Sequence, residues 1–403
     1  MFLIRSAESK QLDAQLLEQE LLQQLSGARS VASLTFIFGH FQQIQLLAES
    51  SSALWQTSRL WLGGSSCIAA LSDQDLYLGD AAVSVLQITD ERGHYGVGWS
   101  CLRSSSSIDT AVQQALSVAM AQAGLQLELG DKPTMLWCYQ MPGYEEAVLT
   151  CLTALLGQDV PVYGGSSADD DLSGQWWQVA NGQLGQHLLV LAVLKPSVPL
   201  KGAFAAGYRL TGQSARVTRT AHRELIELDH QPAADVYRRW LGLSPYSLFE
   251  RTTILSQSAL MPLGRVVGGS ASEPVLLLSH PAYVEPDQRI GLFSDIQVHD
   301  VVHLVAGNEQ ELALKAGAVV AESCRQLIEA GSLPSGGLIV FCAGSMLAIR
   351  PHLAEVLRHV RRQLPELPFV VTFTFGEQGT FVDGQSRHGN LMISATVFGS
   401  HHA

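Results

Sequence analysis

The chain has 403 residues, of which 47% are hydrophobic and 15% charged, and its formal net charge is −12. This length allows two or three domains, and the composition predicts a large buried core and excludes a disordered chain. A net negative surface repels phosphate backbones, which argues against a nucleic-acid-binding protein. The longest apolar runs are shorter than the ~20 residues of a membrane span, the N-terminus lacks the basic region of a signal peptide, and six scattered cysteines suit a reducing compartment. We therefore expect a cytoplasmic protein.

One pattern recurs three times along the chain: strand, helix, strand, glycine-rich turn, then two further strands. Short apolar runs bounded by Gly and Ser predict the strands, and apolar residues at helical spacing predict the helices. The predicted first strands are 33–39, 135–139 and 338–342, and the predicted helices are 44–56, 145–156 and 351–364. The second strands are 60–66, 160–169 and 369–376. The remaining predicted strands are 76–77, 82–88, 176–179, 188–194 and 391–398.

Other segments complete the predicted fold. A helix is expected over 108–127, a strand pair over 217–228, a helix opening on proline over 232–241, and a strand over 274–279. Strands that alternate with helices and then form hairpins predict a mixed-sheet, layered α/β sandwich of two lobes. We expect an N-terminal helix within 1–30, a first domain over 31–220 and a second domain over 221–403.

The glycine-rich turns and strand ends carry a set of short motifs in a fixed order. They are Leu62-Gly-Gly-Ser-Ser66 with the Gly79 hairpin, Tyr163-Gly-Gly-Ser-Ser-Ala-Asp169 with Asn181-Gly182, Phe341-Cys342-Ala-Gly344, Thr374-Phe-Gly-Glu377, and His388 with Asn390. In this order, over residues 33–398, the chain resembles the FIST family, which pairs an N-terminal with a C-terminal FIST domain. It departs from the family at Gly389, which separates His388 from Asn390, and at Ser345-Met346, where the family has an arginine.

The resemblance implies a bacterial signal-transduction sensor that binds a small molecule, such as an amino acid. Such a sensor passes ligand occupancy to a histidine kinase, a chemotaxis receptor, or a diguanylate cyclase or phosphodiesterase. One bacterial branch of the family binds haem and reports nitric oxide to a histidine kinase, so haem b is a possible cofactor. A homo-oligomer is compatible with the sequence.

The second glycine-rich motif is one candidate ligand site. Backbone N–H groups at Gly165 and the hydroxyls of Ser166 and Ser167 can hold a carboxylate or phosphate, and Asp169 can bind an ammonium group. The alternative is a tight turn between strands, with Asp169 to Asp171 in solvent. Both interpretations stay open at the level of the sequence.

Further candidates lie in the second half of the chain. Glu377 follows a buried strand, where sheets present ligand-binding groups, and Arg265 can clamp a ligand carboxylate. Cys342 is the only plausible nucleophile, although a buried cysteine in an apolar strand is typically structural. The family resemblance adds Asn390 and His388, and His388 would be the axial ligand if haem is bound. The alternative for His388 is a hydrogen-bonded structural role, and His40 and His94 are further haem candidates.

Catalytic signatures are missing from the sequence. It contains no GxxxxGK[ST] loop, no GxGxxG opening a helix, no GxSxG elbow, no HExxH and no CxxCH. Nucleotide-binding, serine-hydrolase and zinc-protease classes are thus disfavoured. We expect a binding protein without enzymatic activity, and a hydrolase using Cys342 or a serine of the glycine-rich motifs is the third alternative.

Overall fold

The computed structural model describes residues 1–26, 30–50, 53–73, 82–246 and 249–400. The predicted strand 76–77 and Gly79 lie outside these ranges. The described residues form four β-sheets and nine α-helices, which agrees with the predicted mixed-sheet α/β class.

The chain consists of three copies of one unit, and each copy is longer than the predicted repeat because an edge strand and a helix precede it. Repeat 1 contains β1 (Phe2–Ser9), α1 (Ala14–Leu25), β2 (Leu34–Gly39), α2 (Phe41–Glu49), β3 (Trp61–Ser65), β4 (Ala70–Ser72) and β5 (Val83–Asp90). Repeat 2 contains β6 (His94–Cys101), α3 (Ile108–Gln122), β7 (Met135–Gln140), α4 (Glu145–Leu156), β8 (Val162–Ser166), β9 (Gln178–Ala180), β10 (Gln183–Gly185) and β11 (Leu188–Lys195). The segment 1–30, expected as an N-terminal helix, is therefore the strand and the first helix of repeat 1.

Repeat 3 begins with β12 (Leu200–Ala206) and is then interrupted by an inserted domain, residues 209–306. This domain contains β13 (Arg209–Ala221), β14 (Glu224–Leu228), β15 (Gln231–Pro232), α5 (Ala233–Leu241), β16 (Thr252–Thr253), α6 (Leu255–Ser258), β17 (Leu263–Gly269), β18 (Pro274–Ser279), β19 (Pro281–Val284), β20 (Ile290–Leu292) and β21 (Val301–Ala306). Repeat 3 resumes with α7 (Glu309–Glu329), β22 (Pro334–Cys342), α8 (Ala343–Ala348), α9 (Leu353–Gln363), β23 (Phe369–Thr374), β24 (Glu377–Thr380), β25 (Ser386–Gly389) and β26 (Met392–Gly399). The expected boundary at 220 falls inside β13.

Each repeat forms its own sheet with the same strand order. The three sheets run β1-β5-β2-β3-β9-β10, β6-β11-β7-β8-β24-β25 and β12-β26-β22-β23-β4. Within them the pairs β2/β3, β7/β8 and β22/β23 are parallel. The short strands β4, β9 and β24 each join the sheet of another repeat, on β23, β3 and β8 respectively. The three repeats are therefore locked together by a cyclic exchange of short strands.

The Gly-Gly pairs of the first two repeats have a packing role in this arrangement. A Cβ on Gly63 would lie 1.8 Å from the Ile37 carbonyl oxygen, and a Cβ on Gly164 would lie 1.8 Å from that of Cys138. Both glycines have positive φ, +148° and +138°. Only glycine tolerates this combination of backbone conformation and close approach to the neighbouring strand.

The inserted domain has a core of its own, and its strands β18 and β21 also contribute Leu276, Leu277, Leu278 and Val305 to the core of the three-repeat body. Side chains from all three repeats meet in the largest cluster, including the fully buried Phe36, Trp137 and Phe341. The inserted domain packs around Val217 and Tyr237, both fully buried. Among the described helices, none is long and apolar enough to cross a bilayer.

Candidate functional site

A cavity of about 340 Å³ lies between the inserted domain and repeat 3, at the carboxyl ends of the parallel strands β22 and β23. We call it the inter-domain cavity. Repeat 3 contributes Cys342, Ala343, Gly344, Leu347, Ala348, Phe375 and Asn390; the loop after β8 contributes Asp170, Asp171 and Leu172; the inserted domain contributes Leu255, Ser256, Ala259, His280 and Phe293. Its volume is at the lower end of the ~300–1,000 Å³ range of small-molecule sites, and strand carboxyl ends are their usual place in α/β folds.

Two buried residues of the cavity, His280 and Asn390, are hydrogen-bonded to each other across the two domains. The backbone N–H of His280 donates to Asn390 Oδ1 at 3.2 Å, and the backbone N–H of Asn390 donates to the Leu278 carbonyl at 3.1 Å. His280 is 4% exposed and Asn390 is 1% exposed. Nδ2 of Asn390 is buried and has no hydrogen-bond partner among the described residues. This donor is therefore held in place with its hydrogen-bonding capacity unused.

The imidazole of His280 is neutral at pH 7. Burial lowers its pKa to about 4, because the cation would lose its hydration. Its Nε2 lies 3.2 Å from the Leu255 carbonyl oxygen, which can only accept, so Nε2 carries the proton and Nδ1 is an acceptor. A Cβ on Gly344 would lie 3.1 Å from Nδ1, so glycine leaves the space beside this nitrogen open.

Cys342 lines the cavity and neighbours Glu377, which is fully buried behind it. Thr374 Oγ1 lies 2.8 Å from Glu377 Oε1, and the Met392 N–H donates to Oε2 at 3.1 Å. Burial nevertheless raises the pKa of Glu377 to about 8, so the carboxyl is mostly protonated at pH 7. Burial and the neighbouring Glu377 also raise the pKa of the Cys342 thiol well above its ordinary value. A thiolate nucleophile is thus disfavoured at this position.

An ion-pair cluster begins at His388, which Gly389 separates from Asn390 of the cavity. The cluster is formed by Glu145, Glu146, Arg223, Asp295 and His388. Arg223 joins the Glu145 and Glu146 carboxylates at 2.7 and 2.5 Å, and its Nε joins Asp295 at 3.1 Å. Nδ1 of His388 lies 2.9 Å from Glu146 Oε1. The cluster therefore connects α4 of repeat 2, β25 of repeat 3 and two loops of the inserted domain.

The charges of this cluster stabilise one another. Burial opposes protonation of His388, but the carboxylates of Glu146 and Glu145 outweigh it and raise the pKa of the imidazole. Burial likewise opposes ionisation of both glutamates, but His388 and Arg223 outweigh it and lower their pKa values. Ligand atoms of Glu145, Glu146 and His388 lie within 4.8 Å of one another in the described chain. Since Arg223 and His388 already neutralise the two carboxylates, the arrangement is an ion-pair network and a poor metal site.

The serines of the second glycine-rich motif are used inside the fold. Ser166 Oγ donates to Glu145 at 2.6 Å, and Ser167 Oγ donates to the Gln140 carbonyl at 3.2 Å. Gly165 pairs with Glu377 in the β8/β24 ladder. The predicted anion-binding role therefore lacks accessible donors here. Gly165 and Ser166 belong to strand β8 itself, so they do not form the tight turn of the alternative either.

Asp169 organises the loop after β8. Its carboxylate accepts the backbone N–H groups of Leu172, Gly174 and Gln175 at 2.7, 2.7 and 2.8 Å. The side chain is fully buried. It is placed to shape the loop, and the predicted contact with an ammonium group of a ligand is not available to it.

Arg265 does not reach the inter-domain cavity. It lies on β17, and its NH1 group joins Asp300 Oδ2 at 3.1 Å. With Glu146 and His388 it lines a separate cleft of about 530 Å³ beside the ion-pair cluster. The predicted clamp on the cavity ligand is therefore not formed by this arginine.

His388 does not fit the role of a haem ligand. Its side chain is fully buried, its Nδ1 is engaged by Glu146, and its Nε2 would lie 2.3 Å from a Cβ on Gly376. No space for a porphyrin exists between the imidazole and this backbone. Both ring nitrogens of His40 are also engaged, by Gln43 at 2.8 Å and Asp170 at 3.0 Å, and His94 is bound through Nδ1 to the Ala123 carbonyl at 3.1 Å.

The cavity thus brings together Cys342 and Asn390, with Glu377 directly behind them, from the set predicted by sequence. It adds His280, which sequence reasoning missed although a histidine ending an apolar strand was a usable signal. Glu145 and Glu146 were also missed, because two glutamates in the first turn of a helix are common and complement its dipole.

Comparison with known proteins places the chain in a family. The family model of the FIST N domain matches residues 33–231, and that of the FIST C domain matches residues 233–380. Uncharacterized protein MJ1623 of Methanocaldococcus jannaschii is 31% identical over 96 residues, which is 23% of this chain and only 18% of that protein. The structure of T. maritima PurL complexed with FGAR aligns with 99% of this chain and 72% of its own chain, with 10% sequence identity and a TM-score of 0.21. The structure of PurLQS from Thermotoga maritima has the same coverages and identity and a TM-score of 0.23. These scores are too low to support a structural argument. FIST domains are associated with signal transduction and small-ligand sensing, and this chain belongs to the FIST family.

Proposed function

We propose that this FIST protein is a sensor that binds a small molecule in the inter-domain cavity and reports its occupancy through the inserted domain. The observation that carries the proposal is the unused Nδ2 donor of Asn390, 1% exposed, in the wall of a cavity that two domains share. A buried polar group without a partner costs free energy, and a ligand that supplies the partner recovers it.

The cavity is suited to coupling because its walls belong to the repeats and to the inserted domain. A molecule that contacts both Phe293 of the inserted domain and Phe375 of repeat 3 would favour one relative position of the two. Asn390 is two residues from His388, which belongs to the ion-pair cluster between the same units. Ligand contact at Asn390 would therefore act on both connections.

Binding without catalysis is the function that the side chains support best. Cys342 has a raised thiol pKa, and its neighbour Glu377 is mostly protonated, so the pair lacks a thiolate and a base. Ser166 and Ser167 are fully buried and hydrogen-bonded within the fold. A haem-based nitric-oxide sensor would need an axial ligand other than His388.

Membership of the FIST family supports a proposal for the signalling partner. We propose a cytoplasmic role in a bacterial cell, with an output protein such as a histidine kinase, a chemotaxis receptor, or a diguanylate cyclase or phosphodiesterase. All six cysteines are free thiols, as a reducing compartment requires.

The experiment is a thermal-shift screen of a small-molecule library against wild type, Ser256→Trp and Gln257→Trp. Ser256 lines the cavity and is exposed, so the indole can fill the cavity without disturbing the core. Gln257 is its exposed neighbour in α6 and does not line the cavity, which makes it the matched control. We expect a compound that raises the Tm of wild type and Gln257→Trp and leaves Ser256→Trp unchanged.

Hydrogen exchange then tests the reporting step. The same compound should change amide protection at α6 and α8, on opposite sides of the cavity. A library with no compound whose effect depends on Ser256 would contradict the proposed site. A Ser256-dependent compound that changes protection on one side only would contradict the coupling between domains.

A further inference from the structure

We propose, on the basis of the function proposed above, that the inter-domain cavity selects an uncharged molecule with a hydrogen-bond acceptor beside a donor, as in a carboxamide or lactam, on an apolar body. The proposal differs from the amino-acid ligand expected for the family. Two polar atoms in the wall are unused, the described lining residues include no lysine or arginine, and most of the other lining residues are apolar.

The acceptor of the ligand is matched by Asn390. Its Oδ1 accepts the His280 N–H, and this bond fixes which end of the amide is the oxygen. Nδ2 consequently faces the other way, buried and without a partner among the described residues. A carbonyl oxygen on the ligand is the group that this donor requires.

The donor of the ligand is matched by His280. Since Nε2 donates to the Leu255 carbonyl, the neutral ring offers Nδ1 as an acceptor. Nδ1 makes no hydrogen bond with the described residues, and Gly344 leaves the space beside it open. An N–H or O–H group of the ligand is what this nitrogen requires, so the two residues together match an amide.

A charged ligand has no counter-ion beside the buried His280 and Asn390. None of the cavity's lining residues is a lysine or arginine, so a carboxylate would be desolvated without a partner. The two lining aspartates are exposed to solvent: Asp170 accepts the Ile68 N–H at 2.6 Å and contacts His40 at 3.0 Å, and Asp171 accepts the Ser173 N–H at 3.1 Å. An ammonium group beside the buried His280 and Asn390 would lose its hydration, and the neutral imidazole and the amide supply no negative charge.

The test uses three aromatic probes of similar size and different charge: benzamide, benzoate and benzylammonium. Their affinities at pH 7 are measured by ligand-observed NMR titration on wild type, Gln257→Trp, Ser256→Trp and Asn390→Asp. Asn390→Asp keeps the oxygen that accepts the His280 N–H and replaces the Nδ2 donor by an acceptor. Selectivity among the probes is measured on the wild-type chain, so it does not depend on the folding of this variant, which thermal unfolding checks.

We expect benzamide to bind wild type and Gln257→Trp at least tenfold more tightly than the two ions, and to lose binding in Ser256→Trp. Asn390→Asp should weaken benzamide at least tenfold. Tighter binding of benzoate or benzylammonium, or no binding of benzamide, would overturn the proposed ligand class. If the library screen still yields a charged compound that depends on Ser256, the sensor function stands and only the ligand class fails. Benzamide binding that survives Ser256→Trp would place it outside the cavity and would also overturn the inference.

Discussion

Nδ1 of His388 lies 2.9 Å from Oε1 of Glu146, 242 residues earlier in the chain. This contact joins the closing segment of repeat 3 to the first turn of α4 in repeat 2. Arg223 of the inserted domain approaches the same glutamate at 2.5 Å. The ion-pair cluster is therefore the point at which two repeats and the inserted domain meet, and it is continuous through Gly389 with the inter-domain cavity.

Replacing His388 by glutamine should destabilise the protein in a pH-dependent manner. The folded pKa of His388 is raised above its ordinary value of 6.5, so its stabilising effect is complete below that value and declines as the pH rises through the folded pKa. Removing one partner of a buried ion pair costs about 3–5 kcal/mol. We expect a loss in unfolding free energy of about 3 kcal/mol at pH 6 and a smaller loss at pH 9, measured by urea denaturation.

The control for this variant is His94→Gln, since His94 is exposed. It should change the unfolding free energy by less than about 0.5 kcal/mol at both pH values. A His388→Gln effect that is equal at pH 6 and pH 9 would show that the imidazole is not held as a cation by Glu146.

Glu377→Gln should make the protein more stable at alkaline pH. The pKa of this carboxyl is about 8 in the folded state and 4.5 in the unfolded state. Between pH 4.5 and pH 8 the folded state therefore binds more protons than the unfolded state. The unfolding free energy of wild type then falls as the pH rises from 4.5 toward 8, by up to about 1.4 kcal/mol for each pKa unit. Glutamine keeps an acceptor for the Met392 N–H, offers its amide N–H to the Thr374 hydroxyl, and does not ionise.

Urea denaturation between pH 5 and pH 8.5 measures this effect. We expect similar stabilities at pH 5 and a gain of a few kcal/mol for Glu377→Gln at pH 8. Glu128→Gln, at an exposed position, should run parallel to wild type. A parallel curve for Glu377→Gln as well would mean that Glu377 is ionised in the folded protein.

Gly164→Ala should be far more harmful than Gly143→Ala. Both glycines have positive φ, +138° and +109°, so alanine strains the backbone at either by about 1–3 kcal/mol. At Gly164 the new Cβ would also lie 1.8 Å from the Cys138 carbonyl oxygen, whereas at Gly143 nothing lies within 4 Å. We expect a markedly lower Tm, or loss of soluble protein, for Gly164→Ala only. Equal Tm values would show that the close packing of β8 on β7 is not essential.

The sequence predicted the strand–helix–strand pattern of each repeat because that pattern is local. The predicted helix 145–156 coincides with α4, and runs such as 369–376 contain β23. The helix α7 was missed although its buried Leu312, Ala316 and Val319 recur at helical spacing and Asn308 caps its N-terminus. Without α7, the inserted domain could not be recognised as an interruption of repeat 3.

The cyclic exchange of strands could not be predicted because it depends on pairings far apart in sequence. Val370 pairs with Ser72, and Gly165 pairs with Glu377, and neither partner carries a local signal of the other. The same holds for the cavity. Cys342, Glu377 and Asn390 follow strand ends and could be singled out, but their partner His280 is set by the position of the inserted domain.

The geometry of His388 leads to a last prediction, on haem. A haem iron bound to this imidazole would have to displace Glu146 from Nδ1 or the backbone of Gly376 from Nε2. We therefore expect protein titrated with haem to show the same visible absorption spectrum in wild type and in His388→Ala, with thermal unfolding used to confirm that the variant is folded. A Soret band that shifts on addition of nitric oxide and disappears only in His388→Ala would contradict this expectation. It would require the third repeat to open at the ion-pair cluster, and the His388–Glu146 contact would then be the element that the ligand breaks.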